Sequence, residues 1–97
     1  MRKITKQAVA AFLHGEQFNS GNTSVVSDAD NIKLYLHGSC IARIDSYGMA
    51  INPRGYMTAT TKERLNGLPS VDIKQRNFEW YLNGSSEPMS MNDWTYV

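Results

Sequence analysis

The chain has very little of several features that define common protein classes. Its 97 residues include one cysteine, Cys40, and two histidines, His14 and His37. A single thiol cannot form an internal disulfide, and it excludes a zinc site built from several cysteines. No apolar run approaches the ~18 residues that a membrane-spanning helix needs. The basic N-terminus leads into an apolar stretch that is too short for a secretory signal. We therefore expect a cytoplasmic protein with no membrane partner.

The chain also lacks a strong charge of either sign, because its formal net charge is only +1. The charge is uneven, however: residues 53–76 carry five cations and two anions, whereas residues 77–97 carry three anions and no cation. Nucleic-acid-binding domains usually show a clearer basic excess. The basic segment nevertheless supplies candidate phosphate contacts, which are Lys62, Arg64, Lys74 and Arg76.

No pattern in the chain is typical of catalysis. Gly38-Ser39-Cys40 lacks the spacing of a nucleophile elbow, and no phosphate-binding glycine loop occurs. Cys40 begins a predicted strand, where a lone cysteine is usually a small buried apolar side chain. Asp28 and Asp30 resemble the start of a calcium loop but lack its glycine and its final glutamate. We predict no catalytic residue, no metal, no cofactor and no enzymatic activity.

The strongest folding signal lies in residues 60–84. Thr60 and Glu63 have the spacing of a capping box, so a helix is predicted to begin there and to end at Gly67 and Pro69. Apolar side chains then alternate with polar ones, as in a strand with one buried face, at Val71, Ile73, Phe78, Trp80 and Leu82. Trp80 is predicted to be in the core.

The rest of the chain predicts one more helix and a series of short strands. Thr5 and Gly15 are suited to cap a helix over about residues 5–14. Short alternating segments separated by turns then follow, with a last short strand predicted at residues 56–59. We predict an α+β fold, with two short helices on an antiparallel meander sheet of about five to seven short strands. Residues 1–97 form one domain, and residues 85–97 are a loosely ordered tail unless Trp94 and Tyr96 dock.

Strand alternation also predicts which side chains face outward. Tyr35 and Lys33 alternate with buried leucines, and Tyr81 and Glu79 flank the inward-facing Trp80. Outward tyrosines beside charged residues can anchor a protein interface or stack with nucleic-acid bases. These four residues are the candidate protein-binding site.

Five phrases of the chain are similar to a known group of proteins. They are KITKQAVAAF, FNSGNTSV, LYLHGSCIA, TTKERLNGLP and FEWYLNG, which lie within residues 3–84. Together they resemble a family of small uncharacterised accessory proteins of tailed bacteriophages. The resemblance implies a bacterial host cytoplasm and no assigned activity. In size and in its lack of catalytic motifs the chain also resembles anti-CRISPR proteins, by analogy with a class.

The sequence thus favours a non-enzymatic bacteriophage protein that acts by binding. The expected partner is a bacterial host protein or ribonucleoprotein complex, such as a CRISPR effector, which the chain binds and inhibits as a monomer or homodimer. The alternative is a small nucleic-acid-binding protein that uses the basic surface of residues 54–76.

Overall fold

Ten regular elements make up the fold in the computed structural model, which describes residues 2–97. Helix α1 spans Lys3–His14, and five strands follow it as a meander: β1 (Phe18–Ser20), β2 (Thr23–Ser27), β3 (Ile32–Leu36), β4 (Ser39–Asp45) and β5 (Gly48–Ile51). The second half holds α2 (Ala59–Asn66), β6 (Ile73–Arg76), β7 (Glu79–Leu82) and β8 (Thr95–Tyr96). All pairings are antiparallel, in a six-stranded sheet of order β1-β2-β3-β4-β5-β8 and a separate β6-β7 hairpin. The predicted α+β architecture is confirmed.

The core lies between the two helices, the hairpin and one face of the large sheet. Val25, Leu34, Ala42 and Ile51 stand side by side on four neighbouring strands, and all four are buried. A β-bulge at Ile41 adds one residue to β4, because Leu34 pairs with Ala42 whereas Tyr35 pairs with Cys40. Period-two alternation therefore places one row of apolar side chains under the helices and leaves the opposite row on the other face.

Helix α1 begins two residues earlier than the sequence predicts. Its N-cap is Arg2, which makes no side-chain cap, and Thr5 is fully buried inside the first turns. The predicted capping role of Thr5 is wrong because its hydroxyl is used in a contact with α2. Gly15 ends the helix as predicted, with a left-handed φ of 69°.

Helix α2 is capped by Thr58 and not by Thr60. The backbone N–H of Thr61 donates to Oγ1 of Thr58 at 3.1 Å, which satisfies one of the free amides at the helix start. Thr60 lies inside the helix, and the strand predicted at residues 56–59 is absent because Ala59 already begins the helix. Thr58, Thr60 and Thr61 lie close together in the sequence, and the predicted capping box begins two residues after the observed cap.

The end of α2 is shaped by its closeness to α1. Gly67 follows the last residue of the helix, as predicted, but it has an ordinary right-handed φ of −73° and not the left-handed conformation that glycine often adopts at a helix end. A Cβ at this position would stand 2.7 Å from Cγ2 of Thr5 and 3.0 Å from Cγ2 of Val9. Glycine is therefore needed here because the two helices approach too closely for a side chain.

A buried arginine joins three elements at this helix contact. Arg64 of α2 is only 2% exposed, and its Nε donates to Oγ1 of Thr23 on β2 at 3.1 Å. Its Nη1 donates to Oγ1 of Thr5 on α1 at 2.7 Å and to Oε1 of Glu63 at 2.6 Å. The Thr5 hydroxyl also donates to Glu63. The guanidinium is thus paired and hydrogen-bonded, which is the condition for burying a charge.

The hairpin and the C-terminal tail close the other side of the core. Trp80 of β7 is 1% exposed, which confirms its predicted place in the core. The tail crosses from β7 to β5, with the N–H of Met89 donating to O of Trp80 at 2.8 Å and β8 pairing with β5. Trp94 lies under the guanidinium of Arg43, 4.3 Å from Cζ to ring centroid. Trp94 and Tyr96 thus both contact the sheet, since Tyr96 pairs with Ala50 of β5.

We expect Thr58→Ala to lower the free energy of unfolding by about 0.5–2 kcal/mol, because it leaves the Thr61 amide without its cap. Thr60→Ala is the matched control: it removes the same atoms from inside the helix, where alanine is a better helix former. Urea denaturation of both variants measures the difference. A loss of stability only in Thr60→Ala would contradict the observed cap.

We expect Glu63 to make stability depend on pH. Desolvation opposes its ionisation, but hydrogen bonds from the Thr5 hydroxyl, the Arg2 amide and Arg64 outweigh it and lower the pKa of this carboxyl. The stabilisation is therefore complete above the unfolded pKa of about 4.3 and is lost as pH falls through the lower folded value. Thermal unfolding should show that Glu63→Gln costs stability at neutral pH, by an amount that shrinks in acid. Glu87→Gln, at an exposed position, should cost little at any pH.

Candidate functional site

The β6-β7 hairpin brings together residues that the sequence assigned to two different sites. Lys74 pairs with Tyr81 and Arg76 pairs with Glu79, so all four side chains stand on one face of the hairpin. The guanidinium of Arg76 lies over the Tyr81 ring, with Cζ 4.4 Å from the centroid. The Tyr81 hydroxyl donates to Oε2 of Glu79 over a long 3.4 Å. A shallow cavity of about 280 Å³ lies beside this face.

The other two predicted protein-binding residues lie elsewhere. Tyr35 and Lys33 stand on β3, on the face of the large sheet that points away from the helices, and both are half-buried. The predicted set of Tyr35, Lys33, Tyr81 and Glu79 therefore divides between two surfaces. Strand alternation correctly placed each side chain outward, but alternation alone does not say which strands share a sheet.

One of the four predicted phosphate-binding residues does not lie at the surface. Arg64 is buried and its donors are used by Thr23, Thr5 and Glu63, so it is not available to a phosphate. Lys62 is half-buried on α2, while Lys74 and Arg76 are exposed on the hairpin. Residues 53–76 therefore do not form one basic surface, because Arg64 is part of the core.

The tip of the hairpin carries the most unusual residue of the described chain. Asn77 and Phe78 form the two-residue turn, with φ values of 50° and 67°. Two positive φ values define the type I′ turn that suits a tight hairpin, and its usual sequence is Asn-Gly. Phe78 stands where glycine is expected and is 86% exposed, although the sequence predicted it on the buried face with Trp80. That prediction is wrong because the turn, and not β7, contains Phe78.

Phe78 is therefore unfavourable for folding on two counts. A left-handed backbone costs a residue with a Cβ about 1–2 kcal/mol, and a ring that stays in water returns almost nothing by burial. A bulky residue at positive φ is a true outlier, and such outliers cluster at functional sites. The signal available in the sequence was an asparagine at a turn followed by an aromatic residue in place of glycine.

The thiol of Cys40 is held in its neutral form. Burial raises its pKa, and this effect exceeds the opposing influence of the Ala42 carbonyl contact and of the nearby cations. Its Sγ donates to the backbone oxygen of Ala42 at 3.4 Å. A raised pKa makes a poor nucleophile at neutral pH. Within residues 2–97, no group of three or more His, Cys, Asp or Glu side chains is placed to hold a metal ion.

These features define a small α+β protein whose distinctive surface is an exposed aromatic hairpin tip. A sequence profile of the Kyanoviridae Gp96 protein matches residues 1–96. The chain belongs to this bacteriophage protein family, which confirms the predicted phage origin. No curated protein and no solved structure matches it significantly. In residues 2–97, no helix has the length and apolar character needed to cross a membrane.

We expect Phe78→Gly to preserve or raise the free energy of unfolding, by up to about 1 kcal/mol. Glycine adopts φ of 67° without the Cβ penalty, while its greater freedom in the unfolded chain offsets part of the gain. Urea denaturation measures the change. A clear destabilisation, comparable to that of a buried aromatic residue, would show that Phe78 supports the fold.

Proposed function

We propose that this phage protein binds a bacterial host protein through the tip of the β6-β7 hairpin, with Phe78 inserted into an apolar pocket of the partner. The observation that carries the proposal is the 86% exposed Phe78 at a positive φ. An aromatic ring kept in water at a cost to folding is best explained by an interaction made after folding. Burying such a ring in a partner supplies a large apolar area.

The residues around the tip fit this role. Tyr and Arg are enriched among residues that dominate interface energies, and Tyr81 and Arg76 stand stacked beside the turn. Trp80, between them in sequence, fixes the hairpin to the core. The anchor is thus presented by a rigid element, which lowers the ordering cost of binding.

The charges near the tip indicate the chemistry of the partner surface. Lys74 and Arg76 are exposed, and Lys74 has only a distant contact with Asp72, with Nζ 3.9 Å from Oδ2. Glu79 offsets one of the two positive charges. An apolar pocket with carboxylates on its rim is the complementary surface, and the rim charges would act mainly on association rate.

A host defence complex, such as a CRISPR effector, is the target that we favour. The support is indirect: membership of a phage protein family, a chain of 97 residues, and a binding surface in place of catalytic motifs. Inhibition would be stoichiometric, since the hairpin would occupy a surface that the complex needs. The setting of this action would be the cytoplasm of the infected host.

The alternative of nucleic-acid binding through residues 54–76 has less support. Arg64 is buried, which leaves Lys62 on α2 apart from Lys74 and Arg76 on β6. Glu79, on the same hairpin face as Lys74 and Arg76, also opposes a polyanion there. Nuclease treatment of captured complexes tests this alternative directly, because a nucleic-acid bridge would be destroyed.

The test is affinity capture from a lysate of the phage's bacterial host with three versions of the chain: wild type, Phe78→Gly and Tyr47→Gly. Tyr47 is the matched control, because it is a turn aromatic with 87% exposure at another site. We expect a protein captured by wild type and Tyr47→Gly to be lost with Phe78→Gly. With the purified partner, Phe78→Gly should weaken binding at least about 30-fold, as for a dominant interface residue.

Equal capture by all three versions, or capture that disappears after nuclease treatment, would contradict the proposal. The defence-complex target has its own readout. Equimolar wild-type chain should block nucleic-acid cleavage by the purified complex, and Phe78→Gly should not. Tight binding to a partner without such a block would retain the docking role and reject inhibition of cleavage.

A further inference from the structure

The large sheet has a second surface that the hairpin does not use. The residues that point away from the helices include those that we name the open face: Ser24, Val26, Lys33, Tyr35, Cys40, Arg43 and Asp45. Helix α1 packs against β1, β2 and β3 from the opposite side, and α2 packs against β4. The C-terminal tail reaches the open face at the edge where Trp94 meets Arg43.

The open face holds two cations in an unfavourable arrangement. Lys33 and Arg43 are directly opposite each other on β3 and β4, and like charges in this position destabilise a sheet. Arg43 is compensated by Asp45, with Nε 3.2 Å from Oδ2, and by the Trp94 ring. Among residues 2–97, no carboxylate lies within 4 Å of the Lys33 ammonium.

Two carboxylates contribute to the charge balance of the open face. Asp45 stands on the same face as Arg43, two residues further along β4, and its Oδ2 also accepts from the Tyr96 hydroxyl at 2.8 Å. The pKa of Asp28 is lowered by hydrogen bonds from the backbone N–H groups of its own turn and, to a smaller extent, by the charge of Lys33.

Tyr35 stands next to these cations with small neighbours on both sides. Its direct cross-strand partners are Ser24 and Cys40, so neither neighbour is large enough to cover the ring. A half-buried tyrosine on a sheet face, flanked by Lys and Arg, offers a stacking surface for a base together with contacts for its phosphates. Lys33, which has no ion pair within 4 Å in the described chain, places a positive charge beside this ring and suits a phosphate.

We propose that the open face binds single-stranded nucleic acid, with a base stacked on Tyr35 and a phosphate held by Lys33. This site is separate from the protein-docking hairpin and does not depend on it. Its cation, Lys33, lies outside the basic segment of residues 53–76. Stacking does not require a particular base, so the proposal predicts weak sequence preference and strong salt dependence.

The test is fluorescence anisotropy of labelled 15-nucleotide oligo(dT) and oligo(U), and of a duplex of equal length, with the purified full chain at two salt concentrations. Two pairs of variants isolate the site. Lys33→Gln is compared with Lys74→Gln, which removes the same charge from the hairpin. Tyr35→Leu is compared with Tyr35→Phe, which keeps the ring. Circular dichroism and thermal unfolding confirm that each variant is folded.

We expect single strands to bind more tightly than the duplex, and affinity to fall as salt rises. Lys33→Gln should weaken binding at least about fivefold and reduce the salt slope by about one contact, while Lys74→Gln changes neither. Tyr35→Leu should weaken binding by a similar factor, and Tyr35→Phe should restore it. A preference for oligo(dT) or for oligo(U) identifies DNA or RNA as the strand recognised.

Three results would overturn the proposal. They are no measurable binding of any oligonucleotide, equal losses for Lys33→Gln and Lys74→Gln, and equal binding of single strand and duplex that Tyr35→Leu leaves unchanged. Phe78→Gly provides the separation from the hairpin. It should bind oligonucleotides as wild type does, so failure of the host-protein proposal leaves the open-face result intact.

Discussion

The buried guanidinium of Arg64 is the constraint on which the arrangement of helices and sheet depends. One side chain on α2 contacts Thr5 on α1 and Thr23 on β2, so these three elements have a fixed relation. A buried charge tolerates no loose geometry, because an unpaired guanidinium in the core is far more costly than a small cavity. Gly67 allows the close helix contact that brings Thr5 within reach. The helices thus meet the sheet in one orientation, and the hairpin that follows α2 starts from a fixed point.

Most of the fold follows from patterns that the sequence displays directly. Alternation at residues 32–36 and the glycine at position 15 predict β3 and the end of α1, and both are observed. Arg64 was predicted on the surface because arginine is almost always exposed, and a sequence shows no sign of distant hydroxyls such as those of Thr5 and Thr23. The sequence does not identify the cap at Thr58 for a related reason. Thr58, Thr60 and Thr61 have the same side chain, and only the path of the chain into the helix determines which hydroxyl reaches a free amide.

The sequence identifies only part of the candidate site. Tyr81 and Arg76 were each singled out, but their stacking depends on hairpin register, which the turn determines. The turn itself was missed because its second residue is Phe78 and not the usual glycine. With Phe78 assigned to the strand, Phe78, Trp80 and Leu82 form an alternating apolar row that is typical of a buried face. Phe78 departs from the residue preference of a type I′ turn, but its place in an alternating apolar row makes it look like part of a strand.

Several residues of this molecule have roles that their residue types do not suggest. Arg64, Cys40 and Trp80 are the types from which binding or chemistry is usually inferred, yet folding uses all three. Two features do not serve folding. They are Phe78, with its positive φ and exposed ring, and the like-charged pair of Lys33 and Arg43. Each of these costs stability, and marginal stability leaves little room for unneeded costs. Because the two costs lie on different surfaces, one partner on the hairpin would not account for both, and for this reason we propose a separate ligand for the open face.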